Sequence, residues 1–176
     1  MAAPSIRAMR ARRHVQIRAH GRLGGYAPMI VLLAVSVAAG LAIAAGFGGA
    51  VGMSMHAIMG FLLASLALQR LADPGAFADA FRDYDLLAMR WRGYGFVYPP
   101  VQLALGLSYF AFLAPVQIYF ATALLSTFSI AGALSSIHRH GLQHPRGAVG
   151  VRAPTNATAL IETMVPLAMA LAMLWM

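Results

Sequence analysis

The sequence predicts an all-α fold, a polytopic membrane bundle of five transmembrane helices, and three observations carry that reading. Hydrophobic residues make up 60% of the 176-residue chain and charged residues 10%, too few charges to cover a soluble domain of this size. Apolar runs long enough to cross a hydrocarbon core of about 30 Å fall at about 28–48, 53–71, 96–113, 115–137 and 157–176. All thirteen basic residues are arginine, and they occupy only the tail and alternate connectors.

The arginines set the orientation. Six lie in the tail, four between residues 70 and 92, and three in the 138–153 loop, while the other connectors and the C-terminus have none. Arginine between spans is retained in the cytoplasm. The chain therefore divides into a cytoplasmic Arg-rich tail, 1–27, and a membrane domain, 28–176. The expected location is a bacterial inner membrane, with the C-terminus periplasmic. The net charge of +8 is explained by this retention. Nucleic acid is not an expected partner, because no aromatic-interleaved basic face accompanies the charge.

In order along the chain, Arg12-Arg13 before an apolar run has the outline of a twin-arginine signal. The run that follows is long enough to span, so an anchor is expected instead. In the first span Ser36, Gly40, Ala44, Gly48 and Gly52 recur every four residues, a small-residue ridge suited to close helix packing. The second span has His56 near its outer end, where a headgroup-level or interhelical hydrogen bond is expected, and Gln69-Arg70 at its inner end. Asp73-Pro74 reads as a helix N-cap followed by proline at the first position. Phe77, Phe81, Leu86 and Trp91 can share one face of a short interfacial helix. Asp79, Asp83 and Asp85 lie beside Arg82, Arg90 and Arg92, so ion pairing is expected there rather than metal binding. Tyr94, Phe96 and Tyr98 form an aromatic belt leading into the third span, which carries Gln102. The fourth span has small polar positions from Ser126 to Ser136, and the fifth carries Glu162 and a proline, Pro166, that predicts a kink.

Chemistry-bearing residues are few. His138, His140 and His144 have a metal-ligand flavour, but 138 and 140 point to different sides of a continuing helix. Arg139, Arg146 and Arg152 would also repel a cation. Glu162 is the one acid inside a span, and pairing with Arg70, Arg146, Arg152 or Gln102 is its expected use. The chain has no cysteine, which excludes disulfides, thiolate metal sites and thiol redox catalysis within it.

The stretch Met59-Gly-Phe, Leu68-Gln-Arg-Leu-Ala-Asp, Tyr84-Asp-Leu-Leu-Ala-Met-Arg90, Tyr94-Gly-Phe-Val-Tyr-Pro99 and Leu105-Gly-Leu, with Pro154 and Glu162 beyond the loop, resembles the methylamine-utilisation MauE family of DoxX-like, redox-associated membrane proteins. The resemblance covers about residues 55–176. It implies a four-helix membrane core, to which 28–48 adds an N-terminal span, that assists maturation of periplasmic redox enzymes by thiol chemistry with a thioredoxin-like partner. It also implies a Cys-x-Cys in the loop before the last span, where this chain has His144 and Arg146, and a glutamate after the Tyr-Pro pair, where it has Gln102. The family-motif positions are thus Tyr84, Asp85, Arg90, Tyr98, Pro99, Gln102, His144, Arg146, Pro154 and Glu162, with departures from the family at Gln102, His144 and Arg146.

The expected function is a non-enzymatic accessory or assembly subunit of a larger membrane or redox complex. The ridge of the first span and the cytoplasmic loops would be its contact surfaces. Its partners would be the lipid bilayer, other membrane subunits and a thioredoxin-like or redox-enzyme partner. No cofactor is expected; a metal ion at the loop histidines is the alternative, and would make this a metal-handling or transport protein. A redox-maturation helper that borrows its partner's cysteines is the other.

Overall fold

The computed structural model describes residues 27–49, 51–82, 85–111, 113, 115–140 and 155–175. The arginine-rich tail, Asp83, Tyr84, and the loop with His144, Arg146, Arg152 and Pro154 lie outside them. The described chain is all-α: α1 Ala27–Gly46, α2 Val51–Ala72, α3 Pro74–Phe81, α4 Leu86–Arg90, α5 Arg92–Phe110, α6 Pro115–His140 and α7 Thr155–Trp175. Among the described residues, three stretches are long and apolar enough to cross a membrane, Met29–Gly46, Val51–Ala72 and Val116–His138, and Ala159–Trp175 is a shorter apolar helix. α5 carries Arg92, Pro99, Pro100 and Gln102, polar and proline positions that dilute its apolar character. α7 runs helically through Pro166.

α2 is the hub, packing against α1, α3, α5 and α7, while α6 packs chiefly on α7. Close approach at two of these contacts depends on glycine. A Cβ on Gly40 would lie 2.6 Å from the backbone nitrogen of Ile58, so α1 rests directly on α2. Ser36, Gly40 and Ala44 are all buried along that contact. The ridge is therefore used within the chain and is not an outward contact surface. Its last two members depart from it. Gly48 lies in the turn after α1 with φ of 90°, and Gly52 begins α2 with open space beside it. The four-residue spacing continues in sequence across a break in the helix, which the spacing alone does not reveal.

The expected single interfacial helix is two, α3 and α4. Asp73 caps α3 by accepting from the Ala76 N–H at 3.0 Å, with Pro74 at the first position. Phe77 and Phe81 are buried in a cluster with Ala88 and Tyr98, whereas Leu86 and Trp91 are exposed. The break after Phe81 turns the aromatic pair into the bundle and leaves the second pair outside, so they do not share a face. On the long helices large apolar residues stay exposed, among them Val31, Leu107, Phe120 and Leu124. Such surfaces suit a hydrocarbon solvent and not water.

Candidate functional site

The polar centre of the bundle forms where the last turn of α2 meets α5 and α7. Arg70 donates through Nη1 to Gln102 Oε1. Through Nη2 it donates to Glu162 Oε2 at 2.9 Å. Its guanidinium also lies over the rings of Phe77 and Tyr98, 5.3 Å from each centroid. Four helices thus meet on one side chain: α2 supplies it, α3 and α5 the rings, α5 the amide and α7 the carboxylate. Of the partners open to Glu162, the structure selects Arg70. Gln102 is neutral, so one cation faces one anion and the cluster carries no net charge. A glutamate at 102 would leave a second carboxylate on the same guanidinium. Tyr98 is held in turn by Ser129, whose hydroxyl donates to the Tyr98 oxygen at 3.2 Å, which ties α6 to the same centre.

Asp85 sits beside this centre as the N-cap of α4. Its Oδ1 accepts from the N–H groups of Leu87 at 2.9 Å and Ala88 at 3.0 Å. The residue is fully buried, and its Oδ2 has no hydrogen-bond partner among the described residues. Burial pushes the carboxyl above the ordinary carboxylate range, against the lowering effect of the backbone hydrogen bonds from Ala88 and Leu87. The expected ion pairing of this acidic run is seen between Asp79 and Arg92, exposed and 3.1 Å apart; Asp85 instead accepts from backbone. Because the folded chain holds the Asp85 proton more tightly, this contribution to stability is present below the unfolded value of 3.8. It is lost as pH rises through the raised folded value. Asp85→Asn keeps the capping oxygen and removes the titration. The stability of the parent relative to Asp85→Asn is therefore expected to fall as pH rises from about 4, read from detergent unfolding curves across pH. A difference that grows with pH would refute this account. Asp85→Ala, which also loses the cap, is expected to be about 1 kcal/mol less stable than Asp85→Asn at any pH.

A second polar group lies at the other end of the bundle. His56 Nδ1 is 2.9 Å from the Gly52 carbonyl oxygen, which can only accept, so Nδ1 carries the proton. Nε2 then accepts from the Tyr119 hydroxyl at 2.8 Å. Tyr109 stacks on Tyr119 with centroids 5.9 Å apart and donates to Thr122 Oγ1 at 3.2 Å. Sequence reading left a headgroup-level or an interhelical hydrogen bond open for His56; the structure shows the interhelical one, and the sequence had no signal for the two tyrosines as its neighbours. They come together because α5 ends and α6 begins at this level.

His138 and His140 occupy the last turn of α6. His144 lies outside the described residues. No group of three or more histidines and acids that could hold a metal occurs among the described residues. Arg90 ends α4 and is exposed, and Pro99 is buried in α5 beside Tyr98.

Among known proteins, the family model described as Methylamine utilisation protein MauE matches residues 49–176. The match takes in α2 to α7 and leaves α1 outside. No curated protein and no solved structure matches the chain.

Proposed function

Since the chain belongs to the MauE family, we propose that it is a non-enzymatic membrane accessory protein, an assembly subunit of a larger membrane or redox complex in methylamine utilisation. The observation that carries this reading is the closure of the Arg70, Gln102 and Glu162 side chains on one another. Groups arranged so brace helices together, and no thiol stands beside them in a chain without cysteine. In this reading α5 and α7 cross the bilayer with the three longer helices. That threading is supported by residues 70, 102 and 162 meeting at one level and 56, 109 and 119 at another, as antiparallel neighbours require. The arginine-bearing connectors are then cytoplasmic and the C-terminus periplasmic. The ridge of α1 is occupied by α2, so the partner surface is sought on the lipid-facing sides and the connectors.

The test is purification of the tagged chain from its native host in mild detergent, with a topology reporter at Met176 in a parallel strain. The expected result is migration in a complex well above the 18.7 kDa of the chain with defined membrane or redox subunits, and a reporter active in the periplasm. A lone monomer sinks the accessory role, and a reporter active only in the cytosol sinks the threading.

A further inference from the structure

α4 is lightly held. Its five residues close too few backbone bonds to keep a helix by themselves. Within it Ala88 is buried and Met89 half-buried, while Leu86, Leu87 and Arg90 are exposed. It is seated by Ala88, which shares a cluster with Phe77, Phe81 and Tyr98. It is also seated by Asp85, whose N–H donates to the Phe81 carbonyl oxygen at 2.9 Å. So few apolar contacts make local opening cheap. Asp85 is the costly member of the seat. It has no exposed surface, and its Oδ2 meets no hydrogen-bond partner among the described residues. Its two capping bonds run to Leu87 and Ala88, within the segment that moves, so release of α4 does not break them. The cations nearby are engaged or exposed. Arg70 of α2 is held by Gln102 and Glu162, and Arg92 of α5 pairs with Asp79 of α3. Arg82 and Arg90 are exposed, as is His138 of α6. From α5, Tyr94 lies within electrostatic reach of the carboxylate, and α6 brings the apolar Leu125 to the same cluster.

We propose that α4 is a pH-sensitive latch, seated on the aromatic cluster while Asp85 is neutral and released together with its cap when Asp85 ionises. A neutral carboxyl loses little in this dry seat, whereas a carboxylate without a cation costs far more, and release returns Oδ2 to water. Burial raises the Asp85 carboxyl above its ordinary range, which gives the direction: the seat is firm in acid and loosens as pH rises. Release uncovers the rings of Phe77 and Tyr98 over which the Arg70 guanidinium lies, and so joins the connector to the charge centre. The latch stands whether or not the chain is an assembly subunit.

A chain without cysteine makes the test direct. Ala88→Cys places a single thiol in the seat, and Leu87→Cys places one on the exposed side of the same helix. Ala170→Cys places one in the core at the other end, where residue 170 is fully buried. The full-length chain in detergent is labelled with a disulfide reagent that reacts in acid. Rates are divided by that of Leu87→Cys, which cancels the titration of the thiol. The Ala88→Cys ratio is expected to rise about tenfold per pH unit from about pH 4 to the folded value of Asp85, and to level off there. Adding Asp85→Asn, which cannot ionise, is expected to flatten the rise, while Ala170→Cys stays slow throughout. A ratio that does not change with pH overturns the proposal, as does an equal rise with Asp85→Asn. A parallel rise at Ala170→Cys means that the whole bundle opens, and overturns it too. If Ala88→Cys does not fold, hydrogen exchange at the Met89 and Trp91 amides, bonded to the Asp85 and Leu87 carbonyl oxygens, decides between the same outcomes in the parent and Asp85→Asn.

Discussion

Arg70→Met is expected to destabilise the bundle by about 3 kcal/mol, near the lower end for breaking a buried ion pair. The lower end applies because Glu162 keeps 26% of its side chain exposed against 12% for Arg70. Three losses coincide. Glu162 is left a carboxylate without its cation, Gln102 loses the donor to its oxygen, and the rings of Phe77 and Tyr98 lose the guanidinium lying over them. The first is the largest, since an uncompensated charge is what a low-dielectric interior tolerates least. The double variant Arg70→Met with Glu162→Gln removes the stranded charge along with its partner. It is expected to be more stable than Arg70→Met alone, which a double-mutant cycle reads as coupling between the two sites. Unfolding midpoints in mixed micelles give both numbers. If the double variant is less stable than the parent by the sum of the two single losses, the two residues act independently and the brace does not exist.

That brace was only partly legible in the sequence, and the reason is geometric. Composition and arginine placement set out the helical runs, because partition between lipid and water depends on residue type more than on neighbours. Glu162 announced itself as a carboxylate in an apolar run that needed a partner. Choosing Arg70 over Arg146 or Arg152 required knowing that α2 and α7 touch, which no periodicity encodes. The short helices show the complementary failure. Phe77, Phe81, Leu86 and Trp91 fit one amphipathic face only if the helix is continuous, and the chain breaks after Phe81 so that Asp85 can cap a new one. The capping residue was visible in the sequence, but as one of three acids beside arginines it read as half of an ion pair. In the same way, the ridge from Ser36 to Gly52 read as one continuous close-packing pattern, of which Ser36, Gly40 and Ala44 are buried along α1. The turn at Gly48 and Gly49, with positive φ at both, took its last two members out of register.

Gly106→Ala is expected to cost about 2 kcal/mol although alanine is the better helix former. A Cβ at 106 would lie 2.7 Å from the Ala64 nitrogen and 3.0 Å from the Gly60 carbonyl oxygen. Both are backbone atoms of α2, so no side-chain rotation relieves the overlap and the two helices must separate. The penalty is that of overpacking a filled interior, about 1–3 kcal/mol, set against about 1 kcal/mol that helix propensity returns. Because Arg70 and Gln102 join the same two helices, the separation also reaches the charge centre, and this weights the outcome toward the larger loss. Gly52→Ala is the control, since it lies in α2 with nothing within 4 Å of the added carbon. There the propensity gain stands alone, and stability should rise by about 0.5 kcal/mol. The opposite signs of the two substitutions are the test. If Gly106→Ala proves as stabilising as Gly52→Ala, α2 and α5 do not approach through their backbones. The contact that sets Arg70 against Gln102 would then have to be redrawn.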